Sequence, residues 1–271
     1  MSGRKTTINM TEDLRPSASI AYSVGKALFL REAVSRLAAG RAAWLWMLLE
    51  PVVHVAFIMA LFTFVRARVV PGAEFAIWLL TGLVTFFTAR DAATRSMEAI
   101  KANKALFAYR QVLPVDTVLT RSAVEGFLGL IVALLLLCAS GLAGFEVIPH
   151  DALRVLLAFA GMWLCGLGLG LNLSVAAELV PELGKLAKLM FLPLYFLSGV
   201  IFPLAHVPQQ YRDWLFYNPF AHGVELVRSG FFPLYHKAAE ADLNYLYGFA
   251  LVLVFFGLAL HVRFTTRLMA Q

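Results

Sequence analysis

The sequence predicts an all-α membrane protein with six transmembrane helices, an N-terminal interfacial helix, and short interfacial or re-entrant helices between spans five and six. Three observations predict this fold class. Of 271 residues, 60% are hydrophobic and 15% are charged, whereas a soluble domain is about half apolar and a quarter charged. The charges cluster, which leaves uncharged stretches of about 18 or more residues that can cross the hydrocarbon core as helices. Lysine and arginine collect on one side of those stretches, as the positive-inside rule predicts.

The N-terminal part is polar at first and then amphipathic. Residues 1–19 form a polar tail without the hydrophobic region of a signal peptide, so we expect this tail to stay in the cytoplasm. Residues 20–43 alternate apolar and basic side chains at helical spacing. This pattern predicts a helix lying on the inner leaflet, which attracts basic residues. A solvated helix that binds a partner protein is the alternative.

A membrane domain of six spans is predicted over residues 44–262. The spans cover about 44–65, 75–92, 118–143, 153–176, 186–204 and 245–262. The fifth span contains Pro193, Gly199 and Pro203. We therefore expect it to be bent or broken, with neighbouring protein or water satisfying the freed backbone groups. Residues 263–271 are predicted to form a cytoplasmic tail.

The distribution of positive charge orients the spans. If the N-terminus is cytoplasmic, 17 of the 23 lysines and arginines lie inside, Arg90 among them, and six lie outside, Arg228 among them. This asymmetry is expected of a protein in a bacterial inner membrane. With six spans, both termini then lie in the cytoplasm. This asymmetry accounts for the net charge of +6, and no basic patch with interleaved aromatics indicates nucleic acid.

Two of the connections carry patterns of their own. The cytoplasmic segment between spans two and three contains an amphipathic helical pattern and ends at Leu113-Pro114. It predicts a short helix parallel to the membrane that presents side chains to the cytoplasm; a plain interfacial anchor is the alternative. The outer segment, residues 205–244, is rich in aromatic residues and broken by prolines. It predicts short helices that dip into the outer interface.

The sequence contains no pattern of an enzyme active site. There is no GxxxxGK[ST] nucleotide loop, no HExxH, no CxxC and no GxSxG, and the six histidines are scattered singly. We therefore predict no cofactor or metal in this chain. Glu50 and His54 share one face of the first span. Such a pair can line a pathway or carry a proton, although a structural bond near Pro51 is favoured.

Three stretches resemble the permease subunits of type-2 ABC exporters, in the capsular polysaccharide (KpsM-like) and O-antigen (Wzm-like) branch. They are LREAVSRLAAGRAAWLWMLLEP, NKALFAYRQVLP and FLPLYFLSGVIFPLAHVPQQYRDWLFYNPFAHGVELVRSGFF. The resemblance covers about Leu30 to the C-terminus. It is most specific in the last block, where the fifth span leads to Tyr217-Asn218-Pro219-Phe220 and then to residues 225–228.

The resemblance implies a transporter subunit that is not itself an enzyme. Two copies would surround a central conduit for a long, lipid-linked polysaccharide, and each copy would dock on a separate cytoplasmic ATPase that binds ATP and Mg. The capsule branch also pairs with a periplasmic adaptor and an outer-membrane polysaccharide export protein. Nucleotide-driven closure of the ATPase pair would shift the spans as rigid bodies.

The resemblance also implies roles for three groups of residues. The coupling helix that seats in the ATPase would comprise Glu98, Lys101, Asn103, Lys104, Phe107 and Tyr109. Candidates for the channel wall are Trp44, Trp46, Glu50, His54, Phe86, Phe87, Tyr195, Phe196 and Phe202. Arg36 and Arg41 are basic candidates at the inner mouth. Aromatic rings against sugar faces would give weak contacts that tolerate a sliding polymer, although a lipid-facing belt or core packing is the favoured explanation of any single ring.

Other function classes remain open at this point. A type-2 ABC exporter of O-antigen, lipid or a drug shares the same topology. An ion-coupled porter or membrane acyltransferase would act without an ATPase and would depend on Glu50 or His54. A scaffold that only anchors other proteins is the third alternative.

Overall fold

The computed structural model describes residues 17–38, 49, 52–54, 57–58, 61, 70, 72–108 and 111–270. These residues form nine α-helices and two short 3₁₀ turns. The α-helices are α1 Ser17–Ala38, α2 Phe75–Met97, α3 Ala99–Ala102, α4 Pro114–Leu142, α5 Ala152–Leu179, α6 Pro181–Leu197, α7 Gln209–Leu215, α8 Pro219–Phe231 and α9 Leu243–Ala270. The 3₁₀ turns are Lys104–Ala108 and Leu204–His206. The described residues between 49 and 61 are helical too, while most of the predicted first span lies outside the described residues.

Four of these helices, α2, α4, α5 and α9, are long and apolar enough to cross a membrane. They correspond to the predicted spans two, three, four and six, so the prediction of an all-helical protein with several apolar helices is confirmed. The contacts along their lengths show that α2, α5 and α9 run in one direction and α4 runs in the opposite direction. One end of the bundle therefore carries α3 and the other carries α8, and they are called the α3 end and the α8 end below.

The helix α5 lies at the centre of the bundle, in contact with α2, α4, α6, α8 and α9. Its sequence, GMWLCGLGLGLNLS, supplies the small residues that allow this. A Cβ atom at Gly166 would overlap the Ala89 carbonyl oxygen of α2, and one at Gly168 would lie 2.6 Å from Leu253 Cβ of α9. Small residues let apolar helices approach closely where no hydrophobic driving force exists between them.

The helix α6 differs in its bounds from the predicted fifth span, residues 186–204. It begins at Pro181, because Val180 is extended and proline suits the first helical position. It continues through Pro193 and ends at Leu197, where the chain turns through Gly199 with φ of 66°. The break therefore falls after the helix, and the 17 residues of α6 span about 26 Å.

The first and last helices also differ from the predicted boundaries. The helix α1 begins at Ser17 rather than residue 20, and residues 39–43 of the predicted interfacial helix lie outside the described part. The helix α9 continues to Ala270, so the predicted tail over 263–271 is helical as far as it is described. Leu268 explains this, because its side chain is 1% exposed in a cluster with Ile100 and Leu171.

The predicted short helices between spans five and six are present as α7 and α8. The two differ in environment. No residue of α7 is buried, whereas every residue of α8 except Ser229 is buried against α2, α5 and α9. The aromatic residues of this segment divide accordingly: Phe220 and Phe231 are core residues, while Trp214 and Tyr217 are exposed.

Candidate functional site

The segment from Glu98 to Ala108, called the 98–108 segment, forms the surface of the α3 end. Ala99 and Ile100 anchor its first turn in the core, and Phe107 anchors the 3₁₀ turn. Lys101 and the alanines at 102, 105 and 108 are exposed. The segment is therefore a short helical piece with an apolar underside and an exposed outer face.

The six predicted coupling residues divide between these two sides. Glu98 and Lys101 are exposed and Lys104 is half-buried, while Asn103 and Phe107 point into the protein. Tyr109 lies outside the described residues. The Asn103 amide donates to the Ala99 carbonyl at 2.8 Å, and its oxygen accepts a hydrogen bond from Arg31 of α1.

Two ion pairs join the 98–108 segment to the helices beside it. Lys104 Nζ lies 2.6 Å from Glu178 Oε1, near the C-terminal end of α5. Lys188 of α6 donates to Glu98 Oε1 at the junction of α2 and α3. The segment is thus linked by charged side chains to two different helices of the bundle.

The helix α1 is attached to the same end. Its carboxylate Glu32 is buried and accepts a hydrogen bond from Arg121 Nε of α4 at 2.9 Å. Phe29 packs edge-on against Phe127, with ring centroids 6.3 Å apart. The structure describes the backbone of Arg36 within α1, and Arg41 lies outside the described part.

An aromatic cluster lies between the two ends and contains four of the predicted channel residues. Phe87 and Tyr195 are stacked, with centroids 6.1 Å apart and planes 13° from parallel. Phe86 packs edge-on against Tyr195 at 5.4 Å, and Phe196 does so from the other side at 5.4 Å. The cluster brings together α2 and α6, which are 100 residues apart in sequence.

The remaining channel candidates lie elsewhere or outside the described residues. The His54 ring packs edge-on against Phe87 at 4.9 Å, which places it at the rim of the aromatic cluster. Phe202 packs instead against the cluster of Leu204 and Phe216 at the α8 end. Trp44, Trp46 and Glu50 lie outside the described residues.

Two members of the aromatic cluster were not predicted. Phe220 of α8 packs on Phe86 with centroids 5.7 Å apart. The Arg90 guanidinium lies 4.2 Å from the Phe87 centroid, while its Nε donates to the neighbouring Asp91 at 2.8 Å. Arg90 was assigned to the basic side by charge counting, and only the helical spacing of three residues to Phe87 indicated the contact.

A buried arginine lies at the α8 end. Arg228 has no exposed surface, and its guanidinium stacks 3.5 Å from the centre of the Trp78 ring. Its Nη1 donates to the Gly199 carbonyl at 2.8 Å and its Nη2 to the Val200 carbonyl at 2.6 Å. Its Nε donates to the Trp78 carbonyl at 3.2 Å. This side chain therefore binds α8 to α2 and to the turn that follows α6.

The countercharge of Arg228 is Glu225, one turn earlier on α8. The two side chains are fully buried and lie 3.6 Å apart. Glu225 also accepts hydrogen bonds from the Tyr235 hydroxyl at 2.9 Å and from the Ala238 amide at 3.3 Å. Burial lowers the pKa of Arg228, whereas Tyr235 and Glu225 raise it. Burial and Glu225 raise the pKa of Tyr235, so its hydroxyl keeps the proton that it donates.

A glycine makes room for this network. A Cβ atom at Gly82 of α2 would overlap the Nη2 atom of Arg228. The network was not predicted, and Arg228 was counted only as a positive charge of the outer side. The available signal was a glutamate and an arginine three residues apart within an otherwise apolar block.

The helix α8 is fixed at its N-terminal end by two further side chains. Asn218 accepts a hydrogen bond from the Phe220 amide at 3.0 Å, and its own amide donates to Ser198 Oγ at 2.9 Å. His222 Nδ1 accepts from the Asp242 amide at 2.9 Å, so its Nε2–H donates to the Phe216 carbonyl at 2.7 Å. Burial lowers the pKa of His222, which keeps the ring neutral.

The arrangement defines a class of protein: a helical protein with several helices apolar enough to cross a membrane, with the 98–108 segment at one end and the buried helix α8 at the other. Among the described residues no group of His, Cys, Asp and Glu is placed to hold a metal. Residues 24–232 match the family of ABC-2 type transporters. Because the match covers most of the chain, the protein belongs to the ABC-2 type transporter family.

Relatives within this family are similar over nearly the whole chain. The polysialic acid transport protein KpsM of Escherichia coli is 37% identical over 238 residues, which are 87% of this chain and 91% of KpsM. The capsule polysaccharide export inner-membrane protein CtrC of Neisseria meningitidis is 28% identical over 88% of this chain and 90% of CtrC. BexB of Haemophilus influenzae, a capsule polysaccharide export inner-membrane protein, is 28% identical over 85% of this chain and 84% of BexB. The predicted resemblance to the polysaccharide export branch is thereby confirmed.

Proposed function

We propose that this chain is the permease subunit of an ABC exporter that moves a capsular polysaccharide across the inner membrane. The observation that carries the proposal is the 37% identity with the polysialic acid transport protein over 87% of this chain. CtrC and BexB are capsule export proteins as well. The relatives therefore support the capsule branch over an exporter of O-antigen, lipid or drug, and over an ion-coupled porter.

The proposed assembly contains two copies of this chain and two ATPase subunits, with ATP and Mg bound in the ATPase. The 98–108 segment supports such docking because its exposed face consists of small residues together with Lys101. Small residues on a helical surface permit close approach of a partner, and a lysine fits an acidic groove. A periplasmic adaptor and an outer-membrane export protein complete the proposed system. Trp214 and Tyr217 are exposed at the end of the bundle that would face these two proteins.

We further propose the six-span layout with both termini in the cytoplasm. The helix α6 is the fifth span in this layout, and its length of about 26 Å is sufficient for a tilted or locally thinned bilayer. The first span falls in the predicted region 44–65. The α3 end faces the cytoplasm and the α8 end faces the periplasm, in agreement with the distribution of basic residues.

The aromatic cluster is the proposed contact for the glycan. In the structure Tyr195 and Phe86 are buried, while 45% of the Phe196 surface is exposed and Phe87 is half-buried. Phe196 therefore presents a ring at the protein surface, supported from behind by the other rings. Aromatic rings bind sugar faces without fixing their register, as a sliding polymer requires.

A deletion strain tests the proposed function. Removal of the gene is expected to abolish polysaccharide at the cell surface and to cause glycan to accumulate in the cytoplasm. Wild-type protein should restore export, but only with an ATPase partner that hydrolyses ATP. Normal surface polysaccharide in the deletion strain, or export with an inactive ATPase, would contradict the proposal.

Co-purification tests the docking segment. Lys101→Glu is expected to lower recovery of the ATPase with the tagged permease about tenfold, since a reversed charge meets like charge at close range. Arg263→Glu provides the control, because Arg263 is exposed on α9 at the same end of the bundle. Equal recovery with both variants would show that Lys101 lies outside the interface.

A further inference from the structure

Among the residues that the structure describes, the helix α6 makes few contacts compared with the long helices. It contacts α5 and, less extensively, α2, while α5 contacts five other helices. Leu186, Leu189 and Leu192 along its length are exposed. Its polar attachments are accordingly important for where the helix lies.

Those attachments are found at two separate places. In the middle of α6, Lys188 is paired with Glu98 of the 98–108 segment, 90 residues away in sequence. Just beyond its end, the Gly199 and Val200 carbonyls are held by the buried Arg228. The first contact is exposed, while the second is inside the protein.

A weak point lies between the two attachments. Pro193 is inside α6 and has no N–H, so the carbonyl of Leu189 has no partner four residues later. A helix bends most easily at such a position. The residues before Pro193 can therefore tilt while the residues after it remain in place.

The second ion pair of the 98–108 segment does not connect it to a helix that can tilt. Lys104 pairs with Glu178 of α5, and α5 is fixed by close packing against α2 and α9. Movement of the 98–108 segment is thus resisted by α5 and followed by α6. The two ion pairs differ because α5 is held in place by its neighbours, whereas α6 can tilt.

We propose that the Glu98–Lys188 ion pair transmits displacement of the 98–108 segment to residues 185–192 of α6, which pivot about Pro193. Lys188 is a positioning residue in this mechanism, since it contacts neither nucleotide nor cargo. The inference rests on the proposed function, because the displacing force comes from the docked ATPase. It adds a specific contact and a pivot to the rigid-body shift expected of the spans.

A charge exchange tests the contact. The variants are Glu98→Lys, Lys188→Glu and the double exchange, each purified with the ATPase and reconstituted in lipid vesicles. An exposed ion pair contributes little to folding stability, so the thermal midpoint should not change. Lys188→Glu, which lies outside the docking segment, is expected to keep its ATPase activity, and each single variant is expected to transport at least about fivefold less glycan per ATP hydrolysed. The double exchange should restore transport to within about twofold of wild type.

Lys185→Glu is the matched control. Lys185 is exposed on α6 one turn before Lys188, and no described residue pairs with it. This variant is expected to transport as wild type does. A double exchange that is as defective as the single variants, or single variants that transport normally, would overturn the proposal.

A distance measurement separates this proposal from the proposed function. Spin labels at Met190 in α6 and Val252 in α9 report the tilt without any cargo, since both positions are exposed. Trapping the ATPase with ADP and vanadate should change this distance in wild type and in the double exchange, but not in the single variants. If the wild-type complex transports no glycan, the proposed function fails while the distance still tests the ion pair. An unchanged distance in wild type would refute the pivot.

Discussion

Arg228 is a single ionised side chain that joins three parts of the chain at the α8 end. Its donors satisfy the carbonyls of Trp78, Gly199 and Val200. Those last two carbonyls lie in a turn where the helix has ended, so they have no helical partner. An arginine suits this site because its planar fork presents several donors at once and its face stacks on the Trp78 ring.

Arg228→Met is expected to destabilise the protein by about 3–5 kcal/mol, because it leaves the Glu225 carboxylate buried without its countercharge. Adding Glu225→Gln should recover part of that loss, since the orphaned charge is then removed. Thermal unfolding in detergent measures both effects. If the double variant loses as much stability as Arg228→Met and Glu225→Gln lose in sum, the two side chains do not interact.

His222 makes the stability of the protein depend on pH. Burial lowers its pKa below the usual 6.5, so the folded protein binds the proton less readily than the unfolded chain. Stability is therefore complete above about pH 6.5 and is lost as the pH falls below it. The thermal midpoint is expected to drop more steeply between pH 7 and pH 5.5 in wild type than in His222→Gln.

His206→Gln provides the comparison for this experiment. His206 is exposed in the 3₁₀ turn before α7, so its replacement should leave the pH dependence of wild type unchanged. If His222→Gln follows the wild-type curve at every pH, the buried ring is not the group responsible.

Individual residues were harder to predict from sequence than the class of the protein. The composition predicted a membrane protein because a soluble fold cannot bury so large a fraction of apolar side chains. The pairing of Arg228 with Glu225 depends on how α8 packs, and that helix is only 13 residues long. The positive-inside rule assigned Arg228 to the outer side, because the rule uses only the position of a residue in the sequence and not its burial. Asn103 and Phe107 show the same limit, because their burial depends on how the 98–108 segment turns.

At the scale of the helices, close packing of α5 determines the bundle. The glycines of α5 lie against small residues of α2, where Gly170 approaches Ser96 and Gly166 approaches Ala89. Asn172 of α5 adds a hydrogen bond to the Leu253 carbonyl of α9 at 2.7 Å. The α5 sequence indicated a span, but its role as the central helix follows from the contacts on both of its sides.

Gly166→Ala is expected to cost about 1–3 kcal/mol, because the added methyl group meets backbone of α2 that cannot move aside cheaply. The measurement is the thermal midpoint of the purified protein. Gly248→Ala on α9 is the matched control, since nothing lies within 4 Å of its added Cβ atom. That variant should be as stable as wild type or slightly more so. A midpoint that falls equally in both variants would show that the close contact of Gly166 with α2 is not the cause of the loss.

The bounds of the helices were predictable where chemistry marks them. Pro181 begins α6 and Gly199 ends the following turn, as each residue's backbone preference indicates. The assignment of 186–204 placed both bounds too late because apolar residues continue past the turn. Hydropathy does not distinguish an apolar helix from an apolar turn that lies inside protein.

At the scale of the whole molecule, the two ends differ in charge and in construction. The α3 end carries the 98–108 segment and most of those lysines and arginines that the structure describes. The α8 end carries α7 and α8. Arg228, the one fully buried arginine among the described residues, lies at this end and contributes no positive charge to the protein surface. Removing Arg228 from the outer count strengthens the asymmetry from which the orientation was predicted.

Single cysteines at the two ends test this orientation. With Cys138 and Cys165 replaced by alanine, we expect a membrane-impermeant maleimide to label Gln210→Cys in intact spheroplasts and to leave Lys101→Cys unlabelled. Both positions are exposed, so opening the membrane should make both reactive, and this serves as the accessibility control. The physical reason is that moving the basic α3 end across the bilayer is disfavoured, while the α8 end has few lysines and arginines to oppose its transfer. Labelling of Lys101→Cys alone in intact spheroplasts would invert the molecule, and the 98–108 segment would then lie beyond the reach of a cytoplasmic ATPase.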